Sequence, residues 1–417
     1  MFVPIVIDPC QFYDYRYLWV YLKFLYHAHE NGWALITTCE YKEWRDKRPI
    51  SNVYDERFTS AHQYTVLSVE EEKEVPVYYI NNAVFNDEYV KTGSRIGTQI
   101  DLLKNRNRVL ENELFRLAKE IKKIHGEIEG FITWNAHYKS IDYLAQKMKV
   151  PVITMEFALR FPEYFPTCYF TRHRMYGDAI SYVEVRKFRD VVNNGLIDVL
   201  TKKELLAIFL NNNRLDLLKN VYDPKYEMGI ATVHPFVPSL FAESSYTDIE
   251  LIQDVRNHYS EDDILLRNHP GDEPYQAKYT LKNNDDSEFS SDFILKCKRI
   301  AAQGSNILLE ALLLGRTVYS HDISAFQLFL KDNLSDKKLS EIDDISLNYL
   351  LLVYLAPFDI AFDKKYIDWR IHENSPDKIY MYHIKHYLSE RGISEEVLSV
   401  DKKDRLETIL NYRRQSE

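Results

Sequence analysis

Long apolar runs are missing from this 417-residue chain. The longest, Leu347–Phe358, has roughly a dozen residues against the ~20 that span a bilayer as a helix. A soluble or peripheral protein is therefore expected. The opening MFVPIVIDP also lacks the charged start and extended apolar stretch of a secretory signal. Cysteine is scarce: Cys10, Cys39, Cys168 and Cys297 stand far apart, with no CxxC spacing. That argues against a disulfide framework or a zinc knuckle and fits reduced thiols in the cytoplasm. No metal-ligand cluster is evident, and neither metal nor cofactor is expected. A basic excess is missing too. Lys+Arg total 53 and Asp+Glu 63, for a formal charge of −10, which speaks against nucleic acid as a partner. Neither GxGxxG nor GxxxxGK[ST] occurs, so NAD binding and a P-loop are both unsupported.

What is present is an ordinary globular composition, 45% hydrophobic and 28% charged, in a chain long enough for two cores. Short apolar runs alternate with helical patterns. Phe2–Ile7, Trp33–Thr38 and Val75–Asn81 read as strands. Tyr13–Glu30 and a long stretch over Asp101–Ile124 read as helices, the second carrying Leu103, Leu110, Leu114, Leu117 and Ile121 on one stripe. Phe131–Asn135, Ser140–Met148 and Pro151–Glu156 then make a strand–helix–strand unit, which implies a parallel sheet. Lys202–Leu218 reads as one helix. The same rhythm restarts near Val221: strands at Gly229–Val233, Asp263–Arg267, Phe293–Lys296 and Thr317–Ser320, with helices at Asp248–Tyr259 and Ser305–Leu314. From about Asp343 the chain is mostly helical. The fold expected is α/β, two Rossmann-like domains facing across a cleft, with C-terminal helices.

The chemistry concentrates in Asp263–Ile323. The strand ILLRN ends in His269-Pro270, where proline stops the strand and leaves the imidazole at the sheet edge, able to donate to a phosphate oxygen; an ordinary loop histidine is the alternative. Gln303-Gly304-Ser305-Asn306 opens a helix, where free N–H groups and a Ser hydroxyl attract an anion; a plain Ser N-cap is the alternative. Glu310 lies on that otherwise apolar helix and needs partners, either ribose hydroxyls or an internal pairing. Outside this stretch, Glu156 ends a strand where such sheets place ligands and suits a general acid or base. Arg160, Arg172, His173 and Arg174 suit a phosphate or an acidic sugar. The loop His234–Ser245 carries one acid, Glu243, beside small hydroxyl residues.

Three segments resemble a known family. ILLRNHPGD is similar to the strand-HP-x-D element of bacterial capsule-synthesis glycosyltransferases that move Kdo from CMP-Kdo. AAQGSNILLEALLLGRTVYS resembles their Ser/Gly–GFEAL–LxGxxV element. MEFALRFPEYF resembles their E-x-x-x-R-P segment, with Phe161 inserted before the proline. The layout is nearest that of the retaining β-Kdo transferases. The resemblance spans roughly Pro151–Ser320, and the first 150 residues match only in architecture. It implies a GT-B fold in which His269 contacts the CMP phosphate, Ser305 sits at the phosphate-binding helix start, Glu310 meets the ribose and Glu156 lies near the reacting sugar. Two departures stand out. The family's proposed nucleophile, an aspartate after V-P-x-Q, falls on Ser244, with Glu243 adjacent. Its aromatic F-Y-x-G-W segment is replaced by His321–Phe326.

The reading is a GT-B-type glycosyltransferase. Residues 1–220 would bind the acceptor, 221–370 the nucleotide sugar, and 371–417 would pack as helices across both. Glu156 and Glu243 are the catalytic candidates; His269, Pro270, Gly304, Ser305, Asn306, Glu310 and Arg160 are the donor-binding ones. The partners expected are a CMP-sugar donor and an oligosaccharide or lipid-linked acceptor, the latter implying peripheral contact with the inner membrane from the cytoplasmic side. An inverting sialyl-type or other nucleotide-sugar transferase, and a non-catalytic nucleotide- or glycan-binding protein, are the competing readings.

Overall fold

A computed structural model describes the chain apart from residues 8–17, 39–51, 136–137, 173–179, 220–222, 234–245, 270–278, 322–324 and 416–417. Eleven strands are described: β1 Phe2–Val6, β2 Leu35–Thr38, β3 Val77–Ile80, β4 Gly130–Trp134, β5 Val152–Phe157, β6 Thr167–Thr171, β7 Tyr226–Ala231, β8 Ile264–Arg267, β9 Cys297–Ala302, β10 Thr317–Tyr319 and β11 Leu355–Pro357. They form two sheets, one of seven strands in the order β11-β6-β5-β4-β1-β2-β3 and one of four in the order β10-β9-β7-β8.

The four-stranded sheet is parallel throughout. In the larger sheet β5, β4, β1, β2 and β3 are parallel, while β6 runs antiparallel to β5 and β11 antiparallel to β6. Parallel strands must be covered on both faces. β1, β4 and β5 are accordingly buried along their whole length, which is why they read as unbroken apolar runs rather than as alternating ones.

β11 changes the domain division. A boundary at residue 370 assigns Leu347–Phe358 to the second unit. Instead this apolar run leaves the second unit and pairs Leu355, Ala356 and Pro357 with Tyr169, Cys168 and Thr167 of the first sheet. The first unit thus takes back part of the chain after the second is complete.

Three local expectations also shift. Asp101–Ile124 is two helices, Arg95–Lys104 and Arg108–His125, because Asn107 caps the second by accepting from the N–H groups of Val109 and Leu110. Lys202–Leu218 is an α-helix only to Phe209. Leu210 then bridges to Tyr164, and Asn211 donates its side-chain amide to the carbonyls of Pro162 and Tyr164, at 2.9 and 3.0 Å. Phe293–Lys296 is not a strand: Ser290–Leu295 is a short helix, and β9 begins at Cys297.

The core does not respect the two units. One continuous apolar cluster runs from Ala158 and Tyr164 through Phe209, Ile300, Leu308 and Leu350 to Ile409. It joins the far end of the first unit, the second sheet and the C-terminal helices. Among the described residues, no helix is long and apolar enough to cross a membrane.

Candidate functional site

In the second unit the site is the carboxyl edge of the four-stranded sheet. β7 lies between β9 and β8, so whatever follows β8 and β9 flanks the end of β7. His269 follows β8, and its backbone N–H donates to Thr232 Oγ1 at 3.0 Å, just past β7. Gly304, Ser305 and Asn306 follow β9. Gly304 adopts φ +56°, a left-handed turn that a side chain would strain. The parallel sheet thus brings together the two motifs expected to hold a phosphate.

The same edge carries groups that sequence reasoning did not single out. Asp248 is buried, and both its carboxylate oxygens lie within hydrogen-bond reach of the Val233 N–H, at 3.3 and 3.1 Å. Burial pushes its carboxyl up to about 7, against the pull of that N–H. The Tyr246 and His321 rings stack with centroids 4.4 Å apart. Gln303 donates its Nε2 to the His321 carbonyl, while its Oε1 and the Ser320 hydroxyl are buried without partners.

Asn306 departs from expectation. Its side-chain amide donates to the Phe157 carbonyl at 2.7 Å, and its Oδ1 accepts from Tyr169 OH at 3.0 Å. The residue expected to help bind a nucleotide therefore spends its side chain tying the second unit to β5 and β6 of the first. The helix it opens, Ile307–Leu313, is only seven residues long, so the side chains and the Gly304 turn matter more here than a helix dipole.

Glu156 sits one residue before Phe157, at the carboxyl end of β5. It is buried, and it accepts from the Phe157 N–H at 2.8 Å. Burial pushes its carboxyl up to about 7, although the Arg160 guanidinium, 3.8 Å away, pulls the other way. Arg160 itself is exposed beside the Phe157 ring. A carboxyl that exchanges its proton near neutral pH is what a general acid or base needs.

Glu310 is internally paired. Ser290 Oγ lies 2.5 Å from Glu310 Oε2 and 2.8 Å from Glu163 Oε1. One hydroxyl has one proton, so it cannot satisfy two anionic oxygens. Glu163 already accepts from the Ser290 N–H at 3.0 Å and from the Ser291 hydroxyl, with Arg214 Nε at 3.6 Å. The proton therefore belongs on Glu310, donated to Ser290 Oγ. Burial first, and the Glu163 charge second, push the Glu310 carboxyl up to about 7. The glutamate expected at a ribose instead faces a carboxylate of the first unit. Glu163 was missed because its only sequence signal is its place three residues after Arg160.

Pro270 and Glu243, like His173, Arg174 and Ser244, lie outside the described residues. Arg172 lies at the opposite edge of the first sheet from Arg160, since it follows β6, which runs against β5. Away from the sequence motifs, Asp359, His386 and Glu390 bring ligand-type atoms within 4.8 Å of one another. His386 Nε2 and Asp359 Oδ2 are already hydrogen-bonded at 2.7 Å.

With the geometry in place, residues 6–178 match the family model described as the glycosyltransferase 99 family N-terminal domain. The match falls largely on the segment whose motifs said least, and it meets the capsule-transferase motifs of Pro151–Ser320 from the other side. The chain is built on two α/β sheets, one of seven strands and one of four. Among solved structures, similarity extends to KpsC β-Kdo 2,7-transferase of Thermosulfurimonas dismutans, at 15% identity over 58% of this chain and 81% of that one, TM-score 0.33. The β-Kdo 2,4-transferase of the same KpsC gives 15% identity over 54% and 78%, TM-score 0.32. MurG of Acinetobacter baumannii gives 9% identity over 99% and 94%, TM-score 0.28. A comparison with curated proteins finds no match.

Proposed function

We propose that this chain transfers a sugar from a nucleotide-sugar donor to a glycan acceptor, and that the donor is CMP-linked Kdo or a related ulosonic acid. The observation that carries the reading is the 2.7 Å hydrogen bond from Asn306 to the Phe157 carbonyl. It brings the carboxyl end of β5 and that of β9 together at one place, with Glu156 on one side and the Gly304–Ser305 turn on the other. Ligands of open α/β sheets bind at such edges. The family match over residues 6–178 supports sugar transfer in general; the His269-Pro270 and Ser305 motifs favour CMP-Kdo.

In this reading His269 and Ser305 hold the departing phosphate and stabilise its growing charge, while Glu156 manages the proton of the acceptor hydroxyl. Arg160 holds an acidic group of the sugar. If the reaction retains configuration, Glu243 attacks the anomeric carbon as CMP leaves, and a glycosyl-enzyme forms. Inversion, with Glu156 as the base, is favoured by one specific feature: Ser244 stands where the family has its aspartate.

A thermal-shift panel of CMP, UDP and GDP tests the donor. CMP should raise the melting temperature; a rise with UDP or GDP and none with CMP removes the CMP assignment. Turnover of CMP-Kdo that is lost in Glu156→Gln would reject a purely binding protein. A sugar adduct on Glu243 in the intact mass separates retention from inversion.

A further inference from the structure

We propose that a pocket between Arg172 and Arg370, at the amino-terminal edge of the first sheet, is an oxyanion site separate from the transfer cleft. Its ligand would carry a phosphate or carboxylate group on a ring or other partly apolar body.

The location follows from strand direction. β6 runs against β5, with Thr171 opposite Thr154 and Tyr169 opposite Glu156. Arg172 therefore sits towards the start of β5, roughly 10 Å of strand away from Glu156 at its other end. The cavity there has a volume of about 860 Å³, within the range of small-ligand sites.

Its charge is unusual for so acidic a chain. Arg172, Arg370 and Lys187 all line it. Arg370 donates one nitrogen to the Val353 carbonyl at 3.1 Å and lies beside the Phe170 ring, and its Nε is buried without a partner. Among the described residues, no carboxylate lies within ion-pair reach of either guanidinium. Partial desolvation, and then the charge of Arg370, hold the otherwise exposed Arg172 below its ordinary range. The two carboxylates in the lining are engaged elsewhere. Glu184 accepts from the Ser181 N–H at 3.3 Å, and Glu373 from the Ser375 N–H at 2.8 Å, with Lys378 3.6 Å away. Two guanidiniums facing one cavity repel each other, and an anion between them offsets that cost with paired, planar donors. Ile180, Tyr349, Val353 and Tyr354 supply the apolar wall.

The test is isothermal titration of the full chain at low ionic strength with two probes, inorganic phosphate and glucuronate. Saturable binding of at least one is expected, weakened at least tenfold in Arg172→Ala and not weakened in the double variant Arg160→Met, His269→Ala, which removes the anion-holding groups of the transfer cleft. Arg172 is exposed, so its replacement should leave the fold intact. Arg370→Lys, which keeps the charge and loses the fork, should weaken binding less than Arg172→Ala. The preferred probe tells a phosphate group from a sugar carboxylate. Absence of saturable binding by both, binding unaffected by Arg172→Ala, or binding lost in Arg160→Met, His269→Ala overturns the proposal; the last result would place the anion in the transfer cleft.

Discussion

At the scale of single residues, burial raises three carboxyls, Glu156, Asp248 and Glu310, to about 7. For Glu310 the consequence for stability has a definite sign. Its folded pKa is about 7 and its ordinary value is 4.5. The stabilising contribution of the proton is fully present below the ordinary value and is lost as pH rises towards 7. Glu310→Gln, whose amide can donate to Ser290 as the protonated acid does, should match the parent at pH 5 and exceed it at pH 8. A gain of roughly 1–3 kcal/mol is expected there, read as a higher melting temperature. Equal melting curves at both pH values would mean that Glu310 is ionised in the folded state. For Glu156 the lever is Arg160, whose charge lowers the carboxyl. Arg160→Met should shift the pH limb set by Glu156 upwards in a kcat/KM profile, and modestly, because Arg160 is exposed. A downward shift would contradict the ion pair.

At the scale of elements, the decisive contact is the one that Asn306 makes. Removing its amide removes the bonds to the Phe157 carbonyl and the Tyr169 hydroxyl at the junction of the sheets. Asn306→Ala should cost about 2 kcal/mol, lower the melting temperature and slow turnover, because the Glu156 strand end and the Gly304 turn lose their alignment. Tyr169→Phe removes one of the two bonds and should cost about half as much, again read by thermal unfolding.

This contact also marks the limit of what the sequence makes legible. The strands of both sheets, the βαβ rhythm and the placement of His269 and Ser305 at a carboxyl edge all follow from local periodicity and from Gly and Pro punctuation. The pairing of Glu163 with Ser290, and of Asn306 with Phe157, joins residues more than a hundred positions apart, and no local pattern encodes it. β11 escaped for a related reason. A fully buried strand and a buried helix both read as plain apolar runs, and Leu347–Phe358 contains some of each. The break at Asn105–Asn107 was hidden by the apolar stripe that continues across it.

At the scale of the whole molecule, the expectation from sequence is two Rossmann-like domains facing across a cleft. The observed core argues for less freedom. Domain motion is the default where an interface is small and polar. Here one apolar cluster passes from the first unit into the second sheet and on to Ile409. The C-terminal segment closes it with a buried ion pair and buried hydrogen bonds: Arg405 Nε binds Glu204 Oε1 at 2.7 Å, and Arg413 donates to the Ala207 and Leu210 carbonyls at 2.7 and 3.0 Å. Glu204, Arg405 and Arg413 are all buried, and opening the units would expose the apolar surface of the shared cluster. The chain should therefore behave in solution as one compact body, with a radius of gyration near 22 Å, about what its length gives for a single domain. Small-angle scattering with and without saturating CMP should show a change of less than about 1 Å, since the site forms at a junction already held by Asn306 and Glu163. A contraction of several ångströms would mean that the shared core parts in the free protein, and that the two sheet edges meet only when the donor is bound.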